Sequence, residues 1–137
     1  MSKNWVTFFS QTGSEILNIS KSIGRKPDLI VTNNYGQTIP WNVGLAEMRV
    51  PILMAPHSFI MNYFSGDNPY HPIDTIITLH GYLRIIEPSV CTKYDMYNGH
   101  PGAIDLYPEL KGKDPQERAY VGKYPIICRT IPSKLYR

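Results

Sequence analysis

The sequence predicts one α/β domain built on an open, mostly parallel sheet with helices flanking it. Three observations point there. The first 32 residues read as strand, polar loop, helix, strand, which is a βαβ unit. Short β-prone runs then keep alternating with stretches at helical spacing. One later run, IDTIITL over 73–79, is so continuously apolar that both of its faces must be covered, as in a parallel sheet. At 137 residues the chain suits a single domain, 1–137, large enough to bury a core without staples. It shows no internal repeat, low-complexity tract or linker. Right-handed crossovers are expected, and the class is Rossmann-like.

Each element has its own local reason. Val6 to Phe9 is a short apolar strand, broken by Ser10-Gln11-Thr12-Gly13-Ser14. Ile16, Leu17, Ile19, Ser20 and Ile23 then recur at helical spacing until Gly24 stops the helix. Asp28 to Thr32 is a second strand, closed by Asn33-Asn34. A short helix is expected over 41–48 and a third strand over 51–55. Residues 58–64 form a helical turn or two, ending at Ser65-Gly66. The 73–79 run is the fourth strand, with His80-Gly81 at its end. A short helix over 88–94 and a fifth strand over 96–98 follow. Asp114-Pro115-Gln116-Glu117 starts a further helix, with Asp as N-cap, Pro at the first position and Glu closing a capping box, and Gly122 ends it. Tyr124 to Thr130 is a last strand, placed at an edge by Pro125.

Composition narrows the function classes. The chain is 42% hydrophobic and 18% charged, an ordinary globular balance, with a formal net charge of +3. Its densest basic group is only Lys21, Arg25 and Lys26, which reads as solvated surface, so direct nucleic-acid binding is not expected. The two cysteines, Cys91 and Cys128, make neither a disulfide framework nor a zinc pattern and are read as reduced thiols. With no signal-peptide core in MSKNWVTFFS and no apolar stretch of membrane length, a cytoplasmic protein is expected. His57 and His71 sit in polar turns and read as surface residues, while His80 is open between core and site. The four histidines lack ligand spacing, so no metal is expected, and no GxSxG supports a serine hydrolase.

Three stretches can carry chemistry. SQTGSE (10–15) joins a strand to a helix N-terminus. There, free N–H groups and a glycine allow close approach of an anion; the alternative is that Ser14 simply caps the helix. HGYLRII (80–86) leaves the carboxyl end of the fourth strand, where open α/β sheets bind ligands, and its alternative is packing. YNGHPGAIDLYP (97–108) places Asn98 and His100 two apart in extended chain, hence on one side. A neutral amide donor suits a developing oxyanion, and an imidazole can move a proton near neutral pH. The alternative there is a turn that happens to contain a histidine.

Taken in this order, SQTGSE, LHGYLRII and Asn98-Gly99-His100-Pro101 resemble the 10-formyltetrahydrofolate-dependent formyltransferases, closest to the phosphoribosylglycinamide formyltransferase branch. The similarity runs from Val6 to about Thr130. The resemblance implies transfer of a formyl group from 10-formyltetrahydrofolate to an amine of a phosphorylated or nucleotide-like small molecule. Asn98 and His100 would be catalytic. Thr12, Gly13 and Ser14 would hold substrate phosphate, and Leu83, Arg84 and Ile86 would offer main-chain contacts to the pterin. Three features depart from the family. Its third catalytic residue, an aspartate, would fall at Leu135 or Tyr136, and no carboxylate follows Glu117. A usual histidine falls at Cys128, and the closing strands are missing, so the fold is a shortened one. Asp105 or Asp114 could replace the aspartate, or a homo-oligomer or partner subunit could complete the site through an exposed sheet edge. The alternative function is a catalytically impaired folate- or nucleotide-binding homologue within a larger assembly.

Overall fold

Strand β1 (Trp5–Phe9) occupies the middle of the sheet, and all five of its residues are buried. The computed structural model of the chain describes residues 4–36, 39–66, 75–98 and 124–125. Within them β1 is followed by α1 (Ser14–Ile23), β2 (Leu29–Thr32), α2 (Gly44–Glu47), β3 (Ile52–Met54), α3 (His57–Ser65), β4 (Ile76–His80), α4 (Pro88–Cys91), β5 (Asp95–Asn98) and β6 (Tyr124–Pro125). The sheet order is β3-β2-β1-β4-β5-β6. Strands β1 to β5 are mutually parallel, and β6 pairs antiparallel on β5 at the edge. This is the Rossmann-like α/β sheet expected from the βαβ pattern.

Alternation along β1 sends its side chains to the two faces of the sheet, where they enter three hydrophobic clusters. Val6 and Phe8 pack with Val31, Ile77 and Leu79 against Ile60, Met61 and Phe64 of α3 and Val90 of α4. Trp5 packs with Ile76 against Ile23 of α1, and Phe9 with Ile30 against Ile16 and Leu45. Helices therefore cover both faces, which is why β4 is buried along its whole length. Helix α1 buries Ile16, Ser20 and Ile23, one stripe at helical spacing, and Gly24 ends it in the left-handed region with φ 69°.

The chain winds from β1 to β2 to β3 on one side, then returns past β1 to β4 and β5 on the other. The direction of winding changes between β1 and β4, whose carboxyl ends lie side by side, Phe9 opposite His80. In such sheets the loops diverge at that point and leave a crevice.

Several boundaries differ from the expected ones for identifiable reasons. Helix α2 covers only Gly44–Glu47, because the Asn42 side chain accepts the Gly44 N–H at 2.9 Å and starts the turn there. Helix α3 is longer than two turns and begins at His57, directly after extended Pro56. Helix α4 stops at Cys91. Cys91 is disulfide-bonded, which corrects the expected reduced thiol. The expected helix after Asp114, residues 73–74 of the fourth strand and residues 126–130 of the last one lie outside the described residues.

Candidate functional site at the sheet switch point

The loop after β1 turns sharply at Gly13, which sits at φ 73° as the residue before α1. A Cβ there would meet Leu45 Cδ1 at 2.6 Å as well as adopting a strained conformation, so the position needs glycine on two counts. Ser14 is the first residue of the helix, and the N-cap is Gly13, which makes no side-chain capping bond; this corrects the simple reading of Ser14 as an N-cap. Its N–H donates instead to Thr12 Oγ1 at 3.3 Å, and its hydroxyl receives a bond from Asn42 Nδ2 at 3.0 Å. The Asn42 N–H holds the Thr12 carbonyl at 2.8 Å. Asn34 Nδ2 holds the Gln11 carbonyl at 3.0 Å. Two asparagines from the neighbouring loop thus set the shape of residues 11–14.

Ser10 ties the crevice together. Its hydroxyl donates to Asn33 Oδ1 at 2.7 Å and accepts the Leu83 N–H at 2.8 Å. The loops that follow β1, β2 and β4 therefore meet on one hydroxyl.

Two clefts flank the strip that leaves β4. The first, of about 200 Å³, is lined by Gln11, Thr12, Gly13, Ser14, Glu15, His80 and Gly81. The second, of about 380 Å³, is lined by His57, Leu83, Arg84, Ile85 and Glu87. Of the expected contact residues, Thr12, Gly13 and Ser14 share the first cleft, and Leu83 and Arg84 share the second. Ile86 points into the core at 2% exposure while Ile85 is 52% exposed, so it is Ile85 that faces the second cleft. Asn98 ends β5 opposite Leu79, one position before His80 on the neighbouring strand. His100, Asp105, Asp114 and His71 lie outside the described residues.

His80 belongs to both core and site. It is 5% exposed, with Nδ1 2.7 Å from Glu15 Oε1 and Nε2 2.7 Å from Thr78 Oγ1. Trp5 Nε1 donates to the same Thr78 oxygen at 2.9 Å. Donor capacity fixes the direction of this chain. Indole only donates and carboxylate only accepts, so a neutral ring gives Trp5 to Thr78, Thr78 to His80 Nε2, and His80 Nδ1–H to Glu15. The result is a satisfied polar chain running from the buried start of β1 to a carboxylate on the wall of the first cleft.

His57 is buried, not a surface turn residue. Its Nδ1 is 2.8 Å from the Tyr82 hydroxyl. Burial, reinforced by Arg84, holds its pKa below the ordinary 6.5 against the opposing pull of Glu87 and the Ile85 main chain. Burial also drives the Tyr82 phenol far up, so it stays protonated. Sequence reasoning placed Ser10 and Glu15 inside the SQTGSE stretch without a role of their own, read Asn34 only as closing a strand and His57 as a surface residue, and did not single out Asn42. Their partners stand up to 73 positions away in the chain, a separation that leaves no local pattern.

The fold and these clefts define the chain as an open α/β domain with a crevice at the switch point of its sheet. No family model, curated protein or solved structure matches it. Among the described residues no helix is long and apolar enough to cross a membrane.

Proposed function

We propose that the protein is a formyltransferase that moves a formyl group from 10-formyltetrahydrofolate to an amine of a phosphorylated or nucleotide-like small molecule. One observation carries the reading. The three stretches that resemble the family leave the carboxyl ends of three adjacent parallel strands, β1, β4 and β5, with Phe9 opposite His80 and Leu79 opposite Asn98. Residues far apart in sequence are thereby brought to one edge of the sheet.

The chemistry follows from the groups at that edge. Thr12, Gly13 and Ser14 offer N–H and hydroxyl groups to the anionic part of the acceptor, at the positive end of α1. The main chain of Leu83, Arg84 and Ile85, which line the second cleft, offers donors and acceptors to the pterin edge, and the cleft has room for a ring. The acceptor nitrogen bonds to the formyl carbon, the bond from that carbon to N10 of the folate breaks, and the proton lost by the amine ends on the folate nitrogen. The amide of Asn98 donates to the formyl oxygen as its negative charge develops, and His100 carries the proton.

A second reading, a catalytically impaired folate or nucleotide binder acting as a subunit, is favoured by one fact: Leu135 or Tyr136 stands where the resemblance would place the third catalytic aspartate. A homo-oligomer or partner subunit that completes the site belongs to both readings. A cytoplasmic location goes with the first, and the disulfide at Cys91 weighs against a reducing compartment. Incubation with 10-formyltetrahydrofolate and a panel of phosphorylated amines separates the two readings. The enzyme releases tetrahydrofolate with at least one amine. Saturable folate binding without release from any amine selects the binder.

A further inference from the structure

Glu15 puts a carboxylate on the wall of the first cleft, and His80 keeps it there. The Glu15 side chain is 26% exposed, while that of His80 is fully buried. His80 Nδ1 lies 2.7 Å from Glu15 Oε1. The ring is held from behind by Thr78 Oγ1 at 2.7 Å, which Trp5 bonds in turn at 2.9 Å. The carboxylate is therefore tied through one oxygen to a ring at the end of β4 that is fixed by its own packing and cannot follow an incoming ligand. Among the described residues nothing donates to the other oxygen, Oε2, so that oxygen is the part of the carboxylate left to the cleft. A carboxylate oxygen only accepts, and whatever meets it must bring a hydrogen.

The same cleft holds a spare donor. Thr12 Oγ1 and Ser14 Oγ are 3.1 Å apart. Thr12 Oγ1 also accepts the Ser14 N–H, and Ser14 Oγ accepts from Asn42 Nδ2. Of the two hydroxyl hydrogens, one lies between the two oxygens. Among the described residues the other has no acceptor, whichever way the pair points. A cleft of about 200 Å³ thus combines a fixed carboxylate acceptor with a hydroxyl donor. A bare phosphate dianion satisfies the hydroxyl but not Glu15. It carries no hydrogen, and in so small a space its charge comes close to that of the carboxylate with nothing between them.

We propose that Glu15 is a specificity-determining residue of the first cleft, admitting the anionic end of a ligand only when a hydroxyl or ammonium group beside that anion donates to Oε2. The hydroxyl pair of Thr12 and Ser14 takes the anion, Glu15 takes the neighbouring donor, and a dianion without such a neighbour is turned away. The acceptor class narrows accordingly, from any phosphorylated amine to one that carries a donor next to its phosphate. This rests on the reading that the anionic part of the acceptor lies against Thr12, Gly13 and Ser14.

Three probes separate the possibilities: methyl phosphate, which has no donor, glycerol 3-phosphate, which has hydroxyls, and phosphoethanolamine, which has an ammonium group. Each is titrated into the full chain at about pH 8, where a phosphate monoester, with its second pKa of about 6, is a dianion. Binding is followed by NMR at the amides of residues 11–15 and 81, which places it in this cleft. The wild type binds glycerol 3-phosphate or phosphoethanolamine roughly ten- to a hundredfold more tightly than methyl phosphate, the range for one hydrogen bond to a charged group. Whichever of the two binds more tightly identifies the donor. Glu15→Gln keeps an oxygen for His80 and replaces Oε2 with an N–H donor. Methyl phosphate then gains about the same factor and the preference collapses. Glu15→Ala, which removes the carboxylate outright, is read in its place should the glutamine variant fail to fold. A methyl phosphate signal that appears only in the variant also supports the exclusion. Equal affinities for the three esters in the wild type, or a preference unchanged in Glu15→Gln, overturn the role of Glu15 and leave the anion site standing. If no ester shifts these amides in either protein, the anion reading of the cleft falls and the role of Glu15 falls with it.

Discussion

Phe8→Ala is expected to lower the unfolding free energy by about 3–5 kcal/mol, the usual cost of emptying a phenylalanine site in a closed core. Phe8 is fully buried in the centre of the sheet. Its ring lies 5.3 Å from that of Phe64 on α3 and 5.2 Å from that of Tyr82 beneath the second cleft. The residues around it belong to four strands and two helices, so no single element can move in to fill the space. Urea unfolding measures the loss. The midpoint should fall with the slope unchanged, since the surface exposed on unfolding stays nearly the same. Phe8→Leu, which refills most of the volume, should cost clearly less. A loss below about 1 kcal/mol for the alanine variant would mean that this core is not closed around Phe8. Because Tyr82 loses its support, the same variant should also weaken any ligand of the second cleft.

His80→Ala is expected to cost about 2–3 kcal/mol, through a different mechanism. The imidazole is 5% exposed, and both of its nitrogens are engaged. Its removal leaves the buried Thr78 hydroxyl with a donated bond from Trp5 but no acceptor for its own hydrogen. Glu15 is 26% exposed and regains water, so most of the loss falls on the Thr78 side. A double-mutant cycle with Thr78→Val isolates that contact, and a coupling of roughly 0.5–3 kcal/mol is expected between groups that share a network. Additive losses would show that Thr78 and His80 do not act together. Since His80 also holds the Glu15 carboxylate against the first cleft, the substitution should change anion binding there, while Phe8→Ala acts mainly on the second.

The strands and the first helix were legible because each follows a local rule. Continuous apolar runs marked β1, β2 and β4, and Gly24 stopped α1 where the helical stripe ended. The switch-point crevice followed from topology, once strand, helix, strand implied parallel pairing. Where local rules compete with side-chain chemistry, the reading failed. Trp41 and Asn42 look like helix residues, but the Asn42 amide starts a turn and braces the loop at Thr12 and Ser14. In LRII the apolar pattern alone cannot choose which isoleucine enters the core, and the structure buries Ile86 and exposes Ile85. His57 follows a proline in a stretch that resembles a turn, and its burial depends on Tyr82, 25 positions away. Glu15 and His80 are 65 positions apart. Pairings of that kind depend on the packing of α1 on β4, which a linear pattern does not contain.

Transfer of an isotopically labelled formyl group tests the central claim most directly. The protein is mixed with 10-formyltetrahydrofolate labelled at the formyl carbon and with the acceptor amines, and the fate of the label is followed in the wild type and in His100→Ala. If the three loops at the carboxyl edge of β1, β4 and β5 form a formyltransferase site, label appears on the acceptor nitrogen. The rate then falls about 10²–10⁴-fold in His100→Ala, the range expected on losing a positioned proton carrier. Label that never reaches any amine, or transfer at the same rate in both proteins, would contradict it.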